Sequence, residues 1–375
     1  MIYILYSNDY EVYLGGNFYQ EKKVLIETTE RVLSTCETIG IPMTLFCDLL
    51  CLWRYRELGY TQFPDLVDLQ LKRSIKTGHD IQMHIHPHWL RTEIIYGPNG
   101  SCKYNFDLSK FLLGNWISEG GAALQKFCYD VFLLAKQYLE NLLSPLNPQY
   151  RCLAFRAGGY GIQPYTKEIF QALRDAGFLI DSSVVPGMVS FTNVNKIDFS
   201  DVPNKGNYFL FSDLTQDSEK GIFEIPILAL RPGEGNWLML KSFIQRSLTR
   251  FLLKKKKQAR LGYSIQSTDE TPGSGFLKQI QREIKAIHRG SFMLELISDS
   301  RVMFDATQYY INRYYDGEKD LYFSLSCHSK SITSESLEAL KNFHRRLEKK
   351  YGSQIKAITF QEASRLINLT TPATH

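Results

Sequence analysis

The chain has 375 residues, of which 44% are hydrophobic and 22% are charged, and its formal net charge is +5. This composition is typical of a globular protein with a large core. The mild positive charge does not by itself indicate nucleic acid binding, and the sequence has neither a base-reading motif nor zinc-finger spacing. We therefore expect no nucleic acid partner.

The sequence also indicates a compartment. No apolar run reaches membrane-spanning length, and residues 1–6 lack the basic start of a signal peptide. Seven cysteines form no CxxC pair and mostly lie in apolar runs, which is typical of buried free thiols in a reducing environment. We expect a cytoplasmic protein.

Strand and helix patterns alternate along the whole chain. The predicted strands are 2–6, 41–47, a histidine-bearing strand around 81–85, 152–155, 178–180, 222–229, 321–326 and 355–359. The predicted helices are 22–39, 64–76, 122–143, 165–176, 237–257, 276–288, 333–350 and a short terminal helix. Residues 90–120 are predicted as a long loop. We expect one domain over residues 1–375, with an excursion at about 231–320.

Polar residues with catalytic potential follow the predicted strands: Asp9, Glu11, His84, His88, Arg156, Asp181 and His328. In an α/β barrel, the carboxyl ends of all strands open onto one face, which holds the active site. An open doubly wound sheet also binds ligands beyond its strand ends, but it usually has a Gly-rich phosphate loop after the first strand. Asp9-Tyr10-Glu11 stands there instead, and this favours a barrel.

Four of the eight histidines fall within ten residues, in Gly78-His79-Asp-Ile-Gln-Met-His84-Ile-His86-Pro87-His88-Trp89. Pro87 cannot donate to a strand ladder, so the strand ends there. Imidazole is a common zinc ligand, and three histidines at alternate positions indicate metal binding. The alternative is a polar strand end with surface histidines.

This segment resembles the His-[Ser/Thr]-x-x-His motif of the NodB-type polysaccharide deacetylases, carbohydrate esterase family 4. The family's fold is a distorted (β/α)7 barrel. The resemblance implies that His84 and His88 are metal ligands. His79 and His86 are then expected to lie beside the ligands or to face solvent, rather than to bind the metal. Ile85 stands where the family favours Ser or Thr.

The family's first motif, Thr-Phe-Asp-Asp, supplies a base and a metal-binding carboxylate, and Ser7-Asn8-Asp9-Tyr10-Glu11 departs from it. In one register Asp9 is the base and Glu11 the ligand, as in relatives with an Asp-x-Glu form. In the other register Asn8 replaces the base and Asp9 is the ligand. Glu11 would then substitute as base, or the protein would be inactive. We favour the first register.

The remaining motifs are also similar to those of the family. Arg156 stands where the family places an arginine near the base, and the main-chain N–H of Tyr160 is expected to help hold an oxyanion. Asp181 fits the start of the fourth motif, although it could simply pair with Arg156. His328 fits the catalytic acid. Trp89 is a candidate for contact with a sugar, although most such rings are core.

The resemblance implies a metal-dependent hydrolase that removes an acetyl or formyl group from an amino sugar. The cofactor would be one divalent ion, zinc first, with cobalt or nickel as alternatives. The substrate would be a polysaccharide or a lipid-linked glycan precursor, as in lipopolysaccharide or exopolysaccharide synthesis. Two other functions stay open: C–N hydrolysis of a small amide or imide, and carbohydrate binding without catalysis, which Asn8 suggests.

The basic segment 237–257 has apolar residues at helical spacing with cations around them. One interpretation is an interfacial helix in peripheral contact with a membrane. The other, which we favour, is a core-packed helix with a solvated basic end.

Overall fold

The computed structural model describes residues 1–13, 17–192, 196–234, 237, 238, 240, 291–296 and 299–369. The strands are β1 Ile2–Tyr10, β2 Thr44–Asp48, β3 Asp80–Ile85, β4 Glu93–Tyr96, β5 Cys102–Asn105, β6 Ala154–Ala157, β7 Ile180–Asp181, β8 Val189–Phe191, β9 Lys196–Asp198, β10 Tyr208–Leu210, β11 Ile222–Glu224, β12 Ala229–Leu230, β13 Phe292–Met293, β14 Leu321–His328 and β15 Ile355–Ala357. The helices are α1 Thr28–Thr38, preceded by a π-helical turn at Lys22–Glu27, then α2 Leu49–Glu57, α3 Gln62–Lys76, α4 Gly121–Leu143, α5 Thr166–Asp175, α6 Ser300–Tyr314, α7 Ser334–Tyr351 and α8 Phe360–Leu366.

The central sheet is a curled row of parallel strands in the order β11-β7-β6-β3-β2-β1-β14. β15 pairs in parallel with β1, and β10 pairs antiparallel with β11. The two ends of the row meet, because Leu228 N donates to Ser324 O at 2.7 Å and Ser324 N donates to Pro226 O at 3.0 Å. The prediction of a distorted (β/α)7 barrel is confirmed.

The barrel interior is apolar in its lower half and polar in its upper half. Strand side chains alternate between the two faces of a sheet. The lower interior holds a small apolar cluster that includes Tyr3, Leu5, Phe46, Ile180, Phe223 and Tyr322. Phe360 of α8 closes this end, with its ring centroid 5.0 Å from that of Phe46. Farther along β1 the same face carries Ser7 and Asp9, so the strand sequence itself places polar groups at the carboxyl end.

Most predicted elements are present in the described residues, and several observed elements were not predicted. Helix α2 follows β2 without a loop, the hairpin β4–β5 lies in the predicted loop 90–120, and α6 lies in the expected irregular excursion. The helices predicted at 276–288 and over most of 237–257 lie outside the described residues. The expectation of a single domain over the whole chain stays a prediction.

Two further expectations concern burial and membrane spans. All seven cysteines lie in the described part of the chain, and each is buried and free, as predicted. Within that same part, none of the helices combines the length and apolarity needed to cross a bilayer.

Gln82 ties β3 to the start of β6 inside the barrel. Its Oε1 accepts from the N–H groups of Leu153 at 2.9 Å and Ala154 at 2.8 Å, and its Nε2 donates to Asp80 Oδ1 at 2.9 Å and Arg151 O at 3.2 Å. The side chain is fully buried. Its amide therefore satisfies two backbone donors that water cannot reach.

We expect Gln82→Leu to lower the free energy of unfolding by roughly 2–4 kcal/mol, because it strands two buried N–H groups. Urea denaturation measures this change. The control is Gln137→Leu on the exposed face of α4, which should stay within about 0.5 kcal/mol of the wild type. Equal effects of the two substitutions would contradict the role of Gln82.

Candidate metal centre and catalytic site

Polar side chains from the carboxyl ends of neighbouring barrel strands gather at one face. They are Asp9 from β1, Asp48 from β2, His84 from β3, Arg156 from β6, Asp181 from β7, Glu224 from β11 and His328 from β14. All except His328 are buried to 3% exposure or less. This is the face at which a barrel places its chemistry.

The alternation of β1 decides which of its polar residues face this site. Asp9 points to Arg156 and His328, whereas Asn8 points the other way. Asn8 Nδ2 donates to Ser329 Oγ at 2.8 Å, and Ser329 N donates to Asn8 Oδ1 at 3.2 Å. Asn8 therefore fastens β1 to the turn after β14. Asp9 and Glu11, rather than Asn8, face the site, and their roles as base and ligand stay predictions.

Glu11, His84 and His86 form a buried cluster of potential metal ligands. One ligand atom from each lies within 4.8 Å of the other two. Glu11 Oε2 is 2.8 Å from His86 Nε2 and 3.8 Å from His84 Nε2. All three side chains are at most 6% exposed. One carboxylate and two imidazoles are a donor set that zinc accepts.

The hydrogen bond that His84 makes through Nδ1 leaves its Nε2 available to bind a metal ion. Its Nδ1 lies 2.8 Å from the carbonyl oxygen of Arg156, which can only accept a hydrogen bond. Nδ1 therefore carries the proton, and Nε2 presents a lone pair to Glu11. Among the described residues, Glu11 Oε2, His84 Nε2 and both ring nitrogens of His86 and of His88 have no aligned hydrogen-bond partner. Buried lone pairs without donors are what a metal ion would satisfy.

The charges around the cluster also favour a cation. Burial alone would raise the pKa of Glu11, but Lys330 and His86 outweigh it and hold that pKa well below its usual range. Burial alone would lower the pKa of His84, but Glu11 and Asp9 outweigh it and raise that pKa. Positive charge at His84 Nε2 is thus stabilised by its carboxylate neighbours, so the residues fit a divalent ion.

The cluster of potential ligands contains His86 and does not contain His88, so the expectation that His88 is a ligand stays a prediction. His88 is buried against Phe106 and Phe111, with ring centroids 4.5 and 5.2 Å away, and its ring centroid is 5.4 Å from that of His86. Burial and then His86 lower the pKa of His88 to about 2, so this ring is neutral. His86 is buried beside Glu11, so the expectation that its ring faces solvent is wrong. His88 lies in the 3₁₀ turn at Pro87–Arg91, beyond the end of β3.

Asp48 supports the histidine segment from β2, and the sequence reading missed it. Its Oδ2 accepts from the indole N–H of Trp89 at 2.6 Å, and its Oδ1 accepts from His86 N at 3.4 Å. Burial raises the pKa of Asp48 to about 6, although His86 and His84 act to lower it. Trp89 is fully buried, so the expected contact of its ring with a sugar is not available in this structure.

Arg156 is fully buried, and all five of its N–H donors have partners. Nη1 donates to Asp9 Oδ1 at 2.5 Å and Ser7 Oγ at 2.9 Å, and the other contacts are to Ser182 O, Ser182 Oγ and Ser324 Oγ at 2.9–3.0 Å. Burial alone would raise the pKa of Asp9, but Arg156 and then His328 outweigh it and lower that pKa. Asp9 is therefore ionised and can accept a proton.

His328 faces the same carboxylates from β14. Its Nε2 is 3.4 Å from Asp9 Oδ2 and 3.6 Å from Glu11 Oε1, and its side chain is 18% exposed. Lys330, two residues later, places Nζ 2.5 Å from Glu11 Oε1. Lys330 lay beyond the motif that identified His328, and only its nearness in sequence could have suggested it.

Asp181 does not pair with Arg156, contrary to one expectation. Its oxygens accept from Ser183 Oγ at 2.7 Å and Ser183 N at 3.2 Å, and β11 places Glu224 beside it in register. Burial raises the pKa of both carboxyls, and for Glu224 the neighbouring Asp181 adds to the increase. Burial and the neighbouring Asp181 both favour the protonated form of Glu224. Asp181 thus faces Glu224 rather than the Asp9 carboxylate.

Tyr160 lies in the turn that follows β6. Its φ is 60°, a conformation that non-glycine residues rarely adopt, and it follows Gly159 in the same 3₁₀ turn. Its ring is 9% exposed, and burial, followed by the charges of Asp9 and Glu295, raises the pKa of its hydroxyl. The turn therefore brings Tyr160 to the site, where its main-chain role stays a prediction.

Comparison with known proteins gives remote structural similarities. No protein-family model matches the chain, and no curated protein sequence matches it. The chain is similar to a solved structure described as a "putative polysaccharide deacetylase" from Mycobacterium smegmatis, with 13% identity and a TM-score of 0.45 over 100% of this chain and 93% of that one. It is also similar to the structure of Puue allantoinase, with 14% identity and a TM-score of 0.46 over 100% and 92% of the two chains. The resemblance to NodB-type deacetylases thus depends on the motif residues.

Gly158 makes room for His86. A Cβ at residue 158 would lie 2.4 Å from His86 Nδ1 and 2.5 Å from its Cγ. We expect Gly158→Ala to destabilise the protein by roughly 1–3 kcal/mol, because the buried ring must move. In a His86→Ala background the same substitution should cost much less. Thermal or urea unfolding of the four proteins gives this coupling. Additive effects of the two substitutions would mean that a Cβ at residue 158 does not clash with the His86 ring.

Proposed function

We propose that the protein is a metal-dependent hydrolase of a C–N bond, and that it removes an acyl group from an amino sugar. The observation that carries the proposal is the buried convergence of Glu11, His84 and His86 beside an ionised Asp9. Within the described residues, several of these buried atoms have no aligned hydrogen-bond partner. Such a cluster is costly for stability, so a functional role is its simplest explanation.

Glu11 Oε2, His84 Nε2 and His86 Nε2 would hold the ion, and zinc suits this donor set best. A divalent ion in such a site supplies a Lewis acid and lowers the pKa of bound water. The ligands are themselves supported: Lys330 holds the second oxygen of Glu11, and the Arg156 carbonyl fixes the His84 ring.

Asp9 and His328 each carry out one of the two proton transfers that the hydrolysis needs. Asp9 Oδ1 is engaged by Arg156, so Oδ2 is the oxygen that can accept a proton from the attacking water. His328 Nε2, which lies 3.4 Å from Asp9 Oδ2, can donate a proton to the leaving nitrogen. The Tyr160 N–H is proposed to stabilise the developing oxyanion.

The amino-sugar substrate, polymeric or lipid-linked, is supported by the order of the motif residues alone. A small amide or imide is the second candidate, and burial favours it: Glu11 and His84 are 6% and 1% exposed, so a substrate must reach into a recess. Carbohydrate binding without catalysis has lost its main support, because Asn8 binds Ser329 instead of occupying the position of the base.

Metal content and amine release test the proposal together. We expect about one zinc ion per chain, lost in Glu11→Gln and His84→Ala but kept in the matched control His344→Gln, whose ring instead contacts Tyr6 Oη at 3.0 Å. Asp9→Asn should keep the metal and lower turnover at least about 100-fold. Fluorescamine detection of released amine from N-acetyl and N-formyl hexosamines and simple amides provides the assay.

Three results would contradict the proposal. The first is wild-type protein that binds no zinc, cobalt or nickel at micromolar concentration. The second is metal that survives both ligand substitutions. The third is turnover that Asp9→Asn leaves unchanged.

A further inference from the structure

A second cavity lies outside the proposed metal centre, between the start of α3 and the hairpin β4–β5. Its volume is about 870 Å³, and its lining residues come from 20–27, 59–66 and 96–100. Sites for small organic molecules typically have volumes of about 300–1,000 Å³. Glu11, His84 and His86 do not line this cavity, so it is separate from the metal centre. The name tyrosine cavity refers to Tyr60 and Tyr96, which both line it.

Two exposed tyrosine rings meet at the tyrosine cavity. Tyr60 comes from the turn between α2 and α3, and Tyr96 ends β4. Their ring centroids are 4.7 Å apart and their planes are inclined by 69°, so the edge of one ring meets the face of the other. The two residues are 40% and 42% exposed. Adjacent aromatic surface that is left open to solvent in this way is typical of a binding site.

Hydrogen bonds within the protein fix the walls of the tyrosine cavity. Gln20 Nε2 donates to the carbonyl oxygen of Asn99 at 2.8 Å, which joins the segment before α1 to the tip of the hairpin β4–β5. Tyr60 N donates to Tyr55 O at 2.8 Å, which holds Tyr60 against the end of α2. The cavity is therefore formed before a ligand arrives, and little conformational entropy is lost when the ligand binds.

The polar groups of the tyrosine cavity suit a neutral ligand with many hydroxyl groups. The charged residues that line it are Glu21, Lys22, Lys23 and Glu27, whose formal charges cancel. A phosphate or a nucleic acid would instead need an excess of cations. Gln62 is exposed and offers an amide that both donates and accepts hydrogen bonds. A pyranose ring has an apolar C–H face and a rim of hydroxyl groups, which match an aromatic ring and an amide respectively.

We propose that the tyrosine cavity is a second carbohydrate site, which binds a neutral pyranose unit of an oligosaccharide by stacking on Tyr60 and Tyr96. The inference rests on the proposed function, because it specifies the substrate as a glycan chain that the protein holds at two places. A small amide has no second unit to place in the cavity. The binding itself involves neither the metal nor turnover, so it can be measured independently.

Fluorine-19 NMR of protein labelled with 3-fluorotyrosine tests the proposal directly. Tyr60→Phe and Tyr96→Phe identify the two signals, and the use of metal-free Glu11→Gln protein prevents turnover. The probes are the tetramers of N-acetylglucosamine and of glucose. We expect at least one tetramer to shift both signals saturably, with a dissociation constant of about 1 mM.

Substitution of one ring shows whether the cavity itself binds the saccharide. Tyr60→Ala, followed at the Tyr96 signal, should weaken binding of the tetramer roughly 10-fold, because one of the two stacking faces is lost. The matched control is Phe191→Ala, which removes a ring that is 69% exposed and does not line the cavity. This control should leave the dissociation constant unchanged.

The tyrosine cavity is not a carbohydrate site if neither tetramer shifts either signal at about 10 mM, or if Tyr60→Ala leaves the dissociation constant unchanged. Either failure would leave the zinc measurement and the proposed hydrolase function standing. Wild-type protein that binds no zinc would instead overturn the proposed function, while saturable shifts at Tyr60 and Tyr96 that weaken in Tyr60→Ala would still establish the carbohydrate site.

Discussion

The buried side chain and carbonyl of Arg156 connect the two halves of the site. The guanidinium stabilises the ionised form of Asp9 and orients its carboxylate. The carbonyl of the same residue holds the proton of His84 on Nδ1. Breaking one partner of a buried ion pair typically costs about 3–5 kcal/mol, so this geometry has little freedom. Gly158, two residues later, leaves the space that His86 fills. One short segment at the end of β6 thus sets the positions of the proposed base and of two proposed ligands.

This arrangement depends on the division of the barrel interior. Tyr3, Leu5 and Phe46 fill the lower half with apolar volume, and the same face of the strands then carries hydroxyl and charged groups. Ser7 and Ser324, which contact each other at 3.0 Å, each accept from Arg156. Small hydroxyl side chains leave room for a large guanidinium and also satisfy its donors. A charge can be buried here because every donor has a partner.

Sequence patterns were sufficient to predict the barrel, because strand and helix periods alternate along the chain and the polar residues fall at strand ends. They also identified Asp9, Glu11, His84, Arg156 and His328, which the structure brings together. Strand alternation places His86 and His88 on the same face as His84, and the family resemblance favoured His88 over His86. The choice between them depends on the turn that begins at Pro87 and on the Asp48 contact with Trp89. The Tyr60–Tyr96 pair had no local signal, because only tertiary packing brings the turn before α3 beside the hairpin β4–β5.

The central claim is that Glu11, His84 and His86 hold one metal ion. Anomalous diffraction at the zinc absorption edge, from crystals grown with zinc, tests it most directly. The account predicts a single strong peak within coordination distance, about 2.0–2.2 Å, of Glu11 Oε2, His84 Nε2 and His86 Nε2. A peak bound to His88 in place of His86, or no peak near Glu11, would contradict it.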